Sequence, residues 1–216
     1  MTDMIVNERI VDYINSLDCG NSPICDIIEE EARRDDVPII RKEMKNFLKV
    51  MLALKQPVNI LEVGTAVGYS SILMSENIPE GSRITTIENY DVRIPIAREN
   101  FRRAGKEDVI TLIEGDAAEV LKRLEGTYDF IFMDAAKGQY IHFLPDIIRL
   151  MSRGGLLISD NVLQDGDIVE SRYGVTRRNR TIHTRMRDYM YELTHCDSFI
   201  TSIVPIGDGI TLSVKK

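Results

Sequence analysis

The residues best placed to do chemistry sit where two apolar runs end. Phe130-Ile131-Phe132-Met133 leads into Asp134-Ala135-Ala136-Lys137, and Leu157-Ile158-Ser159 leads into Asp160-Asn161. If both runs are strands of one parallel sheet, Asp134, Asp160 and Asn161 meet at its carboxyl edge, where open α/β sheets collect ligands. Two carboxylates and an amide carbonyl are hard oxygen donors. They suit Mg²⁺ or a similar divalent cation that keeps waters and takes oxygens from a substrate. The plainer alternative is that Asp134 caps a turn and Asp160-Asn161 opens a loop. Lys137, three residues past Asp134, is either solvated surface or, near a dication, an amine of depressed pKa able to act as a general base. The residues alone leave both readings open.

A third run, Asn59 to Val63, enters a glycine loop, Glu62-Val63-Gly64-Thr65-Ala66-Val67-Gly68-Tyr69-Ser70. Glycines at a strand-to-helix turn let backbone approach a ligand closely at a helix N-terminus. The spacing of Gly64 and Gly68 is neither the dinucleotide pattern nor the phosphate loop, and no lysine is placed to hold a phosphate. Glu62 would oppose an anionic pyrophosphate but favour a sulfonium cation, and this sign of charge points to S-adenosylmethionine. Glu88, ending the next strand, can accept hydrogen bonds from both ribose hydroxyls, and Gly115-Asp116-Ala117 after the third is placed for the adenine edge. Singly, Gly64 reads as a tight turn and Glu88 as a solvated strand end; the ordered set is specific.

The elements that must carry these residues alternate. Short apolar runs at Asn59 to Val63, Arg83 to Ile87, Val109 to Glu114, Phe130 to Met133 and Gly155 to Ser159 are separated by amphipathic stretches starting near Ser70, Asp91, Ala117 and Tyr140. That alternation predicts an α/β fold with a doubly wound, mostly parallel sheet. Two further runs, Ser198 to Pro205 and Ile210 to Val214, bracket Gly207-Asp208-Gly209, a hairpin signal that predicts an antiparallel ending. Residues 1–56 carry apolar residues at helical spacing and predict an N-terminal helical layer, with 57–216 as the catalytic core.

Composition bounds the rest. The chain has 216 residues, 44% hydrophobic and 28% charged, which predicts one soluble globular domain and excludes disordered and fibrous classes. No run approaches a membrane span, and the acidic start MTDMIVNERIVDY is unlike a signal peptide, so a cytoplasmic protein is expected. Cys19, Cys25 and Cys196 lack the paired spacing of zinc or redox sites, and His142, His183 and His195 lack metal-ligand spacing. The net charge of −7 argues against nucleic-acid binding over the whole surface. Yet Arg172, Arg177, Arg178, Arg180, Arg185 and Arg187 fall in a stretch with no acid. On a helix, the pairs Arg178 with Arg185 and Arg180 with Arg187 recur near two turns, so one face could follow phosphates; a solvated helix is the bland alternative.

With these motifs in view, the sequence resembles the cation-dependent O-methyltransferases, the family that includes the catechol and caffeoyl-coenzyme A O-methyltransferases. The carrying residues are LEVGTAVGYS (61–70), IE (87–88), GDA (115–117), MDAAKGQY (133–140) and SDNVL (159–163). The resemblance implies a Rossmann-like, seven-stranded methyltransferase fold, a divalent metal on Asp134, Asp160 and Asn161, and Lys137 as base. It implies Glu62, Gly64, Ser70, Glu88, Asp116, Ala117 and Asp134 around S-adenosylmethionine, and a homodimer in which the N-terminal helices are lid, interface or both. The flanks VPIIRKE (37–43), DAAKGQYIHF (134–143), DNVLQDG (160–166) and VPIGDGI (204–210), with the arginine run, are similar to the bacterial tRNA 5-hydroxyuridine methyltransferases, which make 5-methoxyuridine at the wobble position. That similarity implies the tRNA anticodon loop as partner, with Arg177, Arg178, Arg180 and Arg185 on phosphates. A small phenolic or acyl-coenzyme A acceptor remains the alternative substrate. A non-catalytic RNA-binding protein and a nicotinamide dehydrogenase are less well supported.

Overall fold

The computed structural model describes residues 5–216, so the first four residues of the acidic start, Asp3 among them, lie outside the described residues. Three helices open the chain: α1 (Glu8–Ser16), α2 (Pro23–Arg34) and α3 (Lys42–Lys55). Ser22 caps α2 by accepting from the Cys25 amide, and Pro23 supplies a preset φ at the first helical position. In α3, Met44, Leu48 and Leu52 recur every four residues and are buried, which turns one stripe inward. Gln56, at φ 49°, ends that helix in the left-handed region before Pro57.

Strands and helices then alternate as the sequence pattern requires. They run β1 (Asn59–Val63), α4 (Tyr69–Ser75), β2 (Arg83–Glu88), α5 (Arg93–Arg103), β3 (Ile110–Glu114), α6 (Ala117–Arg123), β4 (Tyr128–Met133), α7 (Tyr140–Leu150) and β5 (Met151–Ser159). Helix α8 (Arg180–His195) and strands β6 (Phe199–Val204) and β7 (Ile210–Lys215) complete the chain. The sheet order is β3-β2-β1-β4-β5-β7-β6. The first five strands are parallel, and β7 runs antiparallel to both β5 and β6.

Both faces of the sheet are covered, which is why its central strands read as unbroken apolar runs. Leu61, Ile131, Met133 and Leu157 pack under α6, α7 and α8, while Ile60, Phe130, Phe132 and Ile158 pack under α2, α3, α4 and α5. The N-terminal helices therefore share a core with the sheet. Chain order reverses between β1 and β4, and the carboxyl ends of β1, β4 and β5 stay in register: the Asp134 amide donates to Val63 O at 3.0 Å and the Asp160 amide to Met133 O at 2.9 Å. Ligands bind at such a switch point. No helix among the described residues is long and apolar enough to cross a membrane.

One expectation needs correction here. Helix α8 begins at Arg180, so Arg177 and Arg178 lie in the turn before it, and the pairing of Arg178 with Arg185 on one helical face does not form. Nothing near Arg178 starts the helix earlier: Asn179 precedes the first turn without a side-chain capping bond.

Candidate active site

At the switch point a single cavity of about 670 Å³ collects residues from across the chain. Gly64, Ser70, Glu88, Asp116 and Ala117 line one part, and Asp134, Lys137, Asp160 and Asn161 line another. Five carboxylates (Glu88, Asp116, Asp134, Asp160 and Asp208) face it against Arg41, Arg93 and Lys137. That balance suits a ligand carrying positive charge better than a polyphosphate.

The glycine loop is shaped by close approaches. Gly64 has φ 104°, and a Cβ there would lie 2.1 Å from the Asp134 carbonyl oxygen. Any other residue would push the acid-bearing turn away. Glu62 does not line the cavity; it is fully buried behind the wall. Its carboxylate accepts from Ser70 Oγ and Thr86 Oγ1, each at 2.5 Å, and from Ser71 Oγ. Burial pushes its pKa up to about 7, against the pull of these hydroxyls. Glu62 therefore acts on the cavity through Ser70, a lining residue at the start of α4. Glu88 is likewise held by backbone, accepting from the Ala66 amide at 2.7 Å and from the Asn89 and Tyr90 amides at 3.0 Å. Asp116 caps α6 by accepting from the Ala118 amide at 2.8 Å.

The acid edge is built around a buried tyrosine. Tyr140 Oη donates within reach of Met133 O, at 3.2 Å, and Asp160 O, at 3.1 Å, and accepts from the Ala135 amide at 3.2 Å. One hydroxyl thus ties the ends of β4 and β5 together. Asn161 sits at φ 63°, a conformation asparagine tolerates better than most residues, with its amide donating to Asp160 Oδ1 at 2.7 Å. Burial holds both Asp134 and Asp160 well above the usual carboxylate range, and for Asp160 the charge of Asp134 adds to it. Among the described residues neither carboxylate has an ion-pair partner. A half-buried and a buried carboxylate without an ion-pair partner, beside an amide oxygen, are the donor chemistry a hard divalent ion satisfies. No cluster of three His, Cys, Asp or Glu side chains placed to hold a metal occurs among the described residues, so a third protein donor at this edge would be Asn161.

Two ion pairs involve residues of the cavity wall. Lys137 Nζ lies 2.7 Å from Asp208 Oδ2, and Arg41 reaches Asp165 Oδ1 at 3.1 Å. Sequence reasoning missed both Asp208 and Arg41. The first sits in the Gly207-Asp208-Gly209 turn signal; the second precedes α3 and lines the cavity with Pro38, Ile39 and Ile40. The segment joining α2 to α3 therefore forms a wall of the site.

The remaining candidates lie to one side. Arg185 Nη1 donates to Gly138 O at 3.2 Å, which docks α8 on the 3-10 turn carrying Lys137. Arg187 donates to Ile168 O and Glu170 O, and Arg180 lies 5.6 Å from the Tyr173 ring centroid. Arg177 and Arg178 are exposed. His183 is buried against Glu170 O at 3.1 Å, and His195 stacks on Tyr191, both structural roles.

Comparison with known proteins identifies the family. Residues 25–216 match the O-methyltransferase family model. A caffeoyl-CoA O-methyltransferase of Populus trichocarpa is 34% identical over 77% of this chain and 70% of its own. A catechol O-methyltransferase of Niastella koreensis is 35% identical over 79% of each chain. Among solved structures, an S-adenosylhomocysteine-bound methyltransferase of Podospora anserina superposes with a TM-score of 0.87 at 26% identity, covering 98% of this chain and 97% of that one. The chain belongs to the O-methyltransferase family, among the S-adenosylmethionine-dependent enzymes of caffeoyl-CoA and catechol type.

Proposed function

We propose that this enzyme methylates the 5-hydroxyl of 5-hydroxyuridine at the tRNA wobble position, giving 5-methoxyuridine, with a divalent cation held by Asp134, Asp160 and Asn161. The observation that carries the choice of acceptor is the docking of the arginine-rich segment beside Lys137 through the Arg185 to Gly138 bond. Arg177 and Arg178, in the turn before α8, and Tyr173 are exposed, which supports a reading in which this segment meets RNA. Arginines contact phosphates and aromatic rings stack on splayed bases, the two means by which single-stranded RNA is held.

When bound, S-adenosylmethionine supplies a methyl group on a cationic sulfur, and the loop residues Gly64 and Ser70 with Glu88, Asp116 and Ala117 would hold it. When bound, the metal supplies Lewis acidity and a fixed position for vicinal acceptor oxygens. The chain's own residues do the rest. Lys137 takes the proton of the acceptor hydroxyl, the shape of the loop orients the two reactants, and the wall from Pro38 to Arg41 limits water. A 5-hydroxyuracil presents its 5-hydroxyl and 4-oxo oxygens side by side, as a catechol presents two hydroxyls, so the same edge fits either.

A small phenolic or caffeoyl-CoA-like acceptor is the second reading. It is favoured by the names of the relatives at 34% and 35% identity. The two separate on the arginines. Arg177→Glu with Arg178→Glu should raise the Michaelis constant for hydroxylated tRNA about tenfold or more, while S-adenosylhomocysteine affinity stays within about twofold. An unchanged constant for tRNA would remove the arginine segment from the account.

A further inference from the structure

The Gly207-Asp208-Gly209 turn does more than connect β6 to β7. Its backbone is laced to the segment that follows Asn161: the Val162 amide donates to Gly209 O and the Leu163 amide to Asp208 O, both at 2.9 Å. Gly209 must be glycine, since a Cβ would lie 2.1 Å from Leu163 Cγ at φ 75°. The turn is thereby pressed into the wall of the cavity, with Asp208 only 3% exposed. One carboxylate oxygen of Asp208 accepts from the Asp165 amide, and the other lies 2.7 Å from Lys137 Nζ. A buried carboxylate at hydrogen-bond distance from an amine is a strong, oriented interaction.

We infer that Asp208 is the positioning residue of Lys137: it aims the amine into the acceptor end of the cavity and stabilises the ammonium that forms there. The inference rests on the reading of Lys137 as base. In the proposed step the acceptor O–H bond breaks, and the proton goes to the neutral Lys137 Nζ. The electron pair left on oxygen forms the new O–CH₃ bond as the donor S–CH₃ bond breaks, its electrons staying on the sulfur of the departing neutral S-adenosylhomocysteine. The ammonium produced lies against the carboxylate of Asp208, as an imidazolium lies against aspartate in a hydrolase triad. Asp208 touches neither acceptor nor donor. Its negative charge matters only while Lys137 is present, whereas its hold on the Asp165 amide would matter regardless.

That difference supplies the test. Asp208→Asn keeps an oxygen for the Asp165 amide and removes the charge. Initial rates are measured for wild type, Asp208→Asn, Asp208→Glu, Lys137→Ala and the Asp208→Asn/Lys137→Ala double variant, with a catechol and with 5-hydroxyuridine tRNA in parallel. Melting temperature and S-adenosylhomocysteine affinity are measured as controls. The expected result is a kcat about tenfold to a hundredfold lower in Asp208→Asn, with acceptor Michaelis constant and S-adenosylhomocysteine affinity within about twofold. Asp208→Glu should recover part of the loss, and Asp208→Asn should cost less than about twofold further in the Lys137→Ala background. A full Asp208→Asn penalty in that background, or no penalty in the wild type, would overturn the inference while leaving Lys137 as base. Wild-type kcat in Lys137→Ala would overturn both.

Discussion

At the scale of single residues, the site is governed by buried and half-buried carboxylates, which sort into two kinds. Glu62 and Asp208 are satisfied by neighbours: three hydroxyls for the first, the Asp165 amide and the Lys137 amine for the second. Asp134 and Asp160 are not, and burial holds both above the ordinary carboxylate range. In the metal-free protein the native state therefore keeps protons that the unfolded chain has already released. Stability falls as pH rises from the ordinary carboxylate range through neutrality. Asp160→Asn, which removes one of the two charges, should raise the melting temperature of the metal-free enzyme at about pH 8, with the advantage shrinking towards about pH 5. Mg²⁺ should then stabilise wild type and leave the variant unmoved. Equal stabilisation of both by Mg²⁺ would mean that the cation is held elsewhere.

At the scale of elements, the N-terminal layer is joined to the glycine loop by a charged contact inside the core. Lys45 on α3 is 1% exposed and reaches Asp18 Oδ2 at 2.5 Å and Glu29 Oε2 at 3.3 Å. Tyr69, the first residue of α4 and a lining residue of the cavity, donates to the same Glu29 oxygen at 2.7 Å. Despite the opposing effect of burial, Lys45 holds Asp18 below its ordinary pKa, and hydrogen bonds from Tyr69 and Arg33, with the charge of Lys45 adding, do the same at Glu29. Lys45→Met would leave the mostly buried Asp18 without its cation and Glu29 with Arg33 alone, a change that costs about 3–5 kcal/mol. Thermal unfolding should show it as a loss of about ten degrees; a shift within about two degrees would mean that the pair contributes nothing net.

At the scale of the whole molecule, what the sequence discloses depends on whether the deciding contact is local. The parallel strands were legible because helices on both faces leave nothing but apolar residues in them, and Asp134, Asp160 and Asn161 were legible because they stand where those runs stop. The start of β5 at Met151, ahead of the expected Gly155, was hidden by the exposed Arg153 and Gly154. Arg178 misled because a seven-residue spacing fits a helix whether or not the helix has begun. Glu62 was expected around the cofactor, but it lies behind the wall, held by three hydroxyls that only the folded chain brings around it. Asp208 was read as a turn because its partner lies 71 residues away in the chain.

The central claim is that the edge formed by β4 and β5 transfers a methyl group to a vicinally oxygenated acceptor with the help of a divalent cation, and that this acceptor is the modified wobble base. Transfer of labelled methyl from S-adenosylmethionine, with Mg²⁺ and with chelator, to tRNA bearing 5-hydroxyuridine, to unmodified tRNA and to a catechol tests it most directly. The account predicts label on the hydroxylated tRNA alone, lost on chelation. Undiminished transfer in chelator would contradict the metal edge, and label on the catechol with none on tRNA would contradict the acceptor.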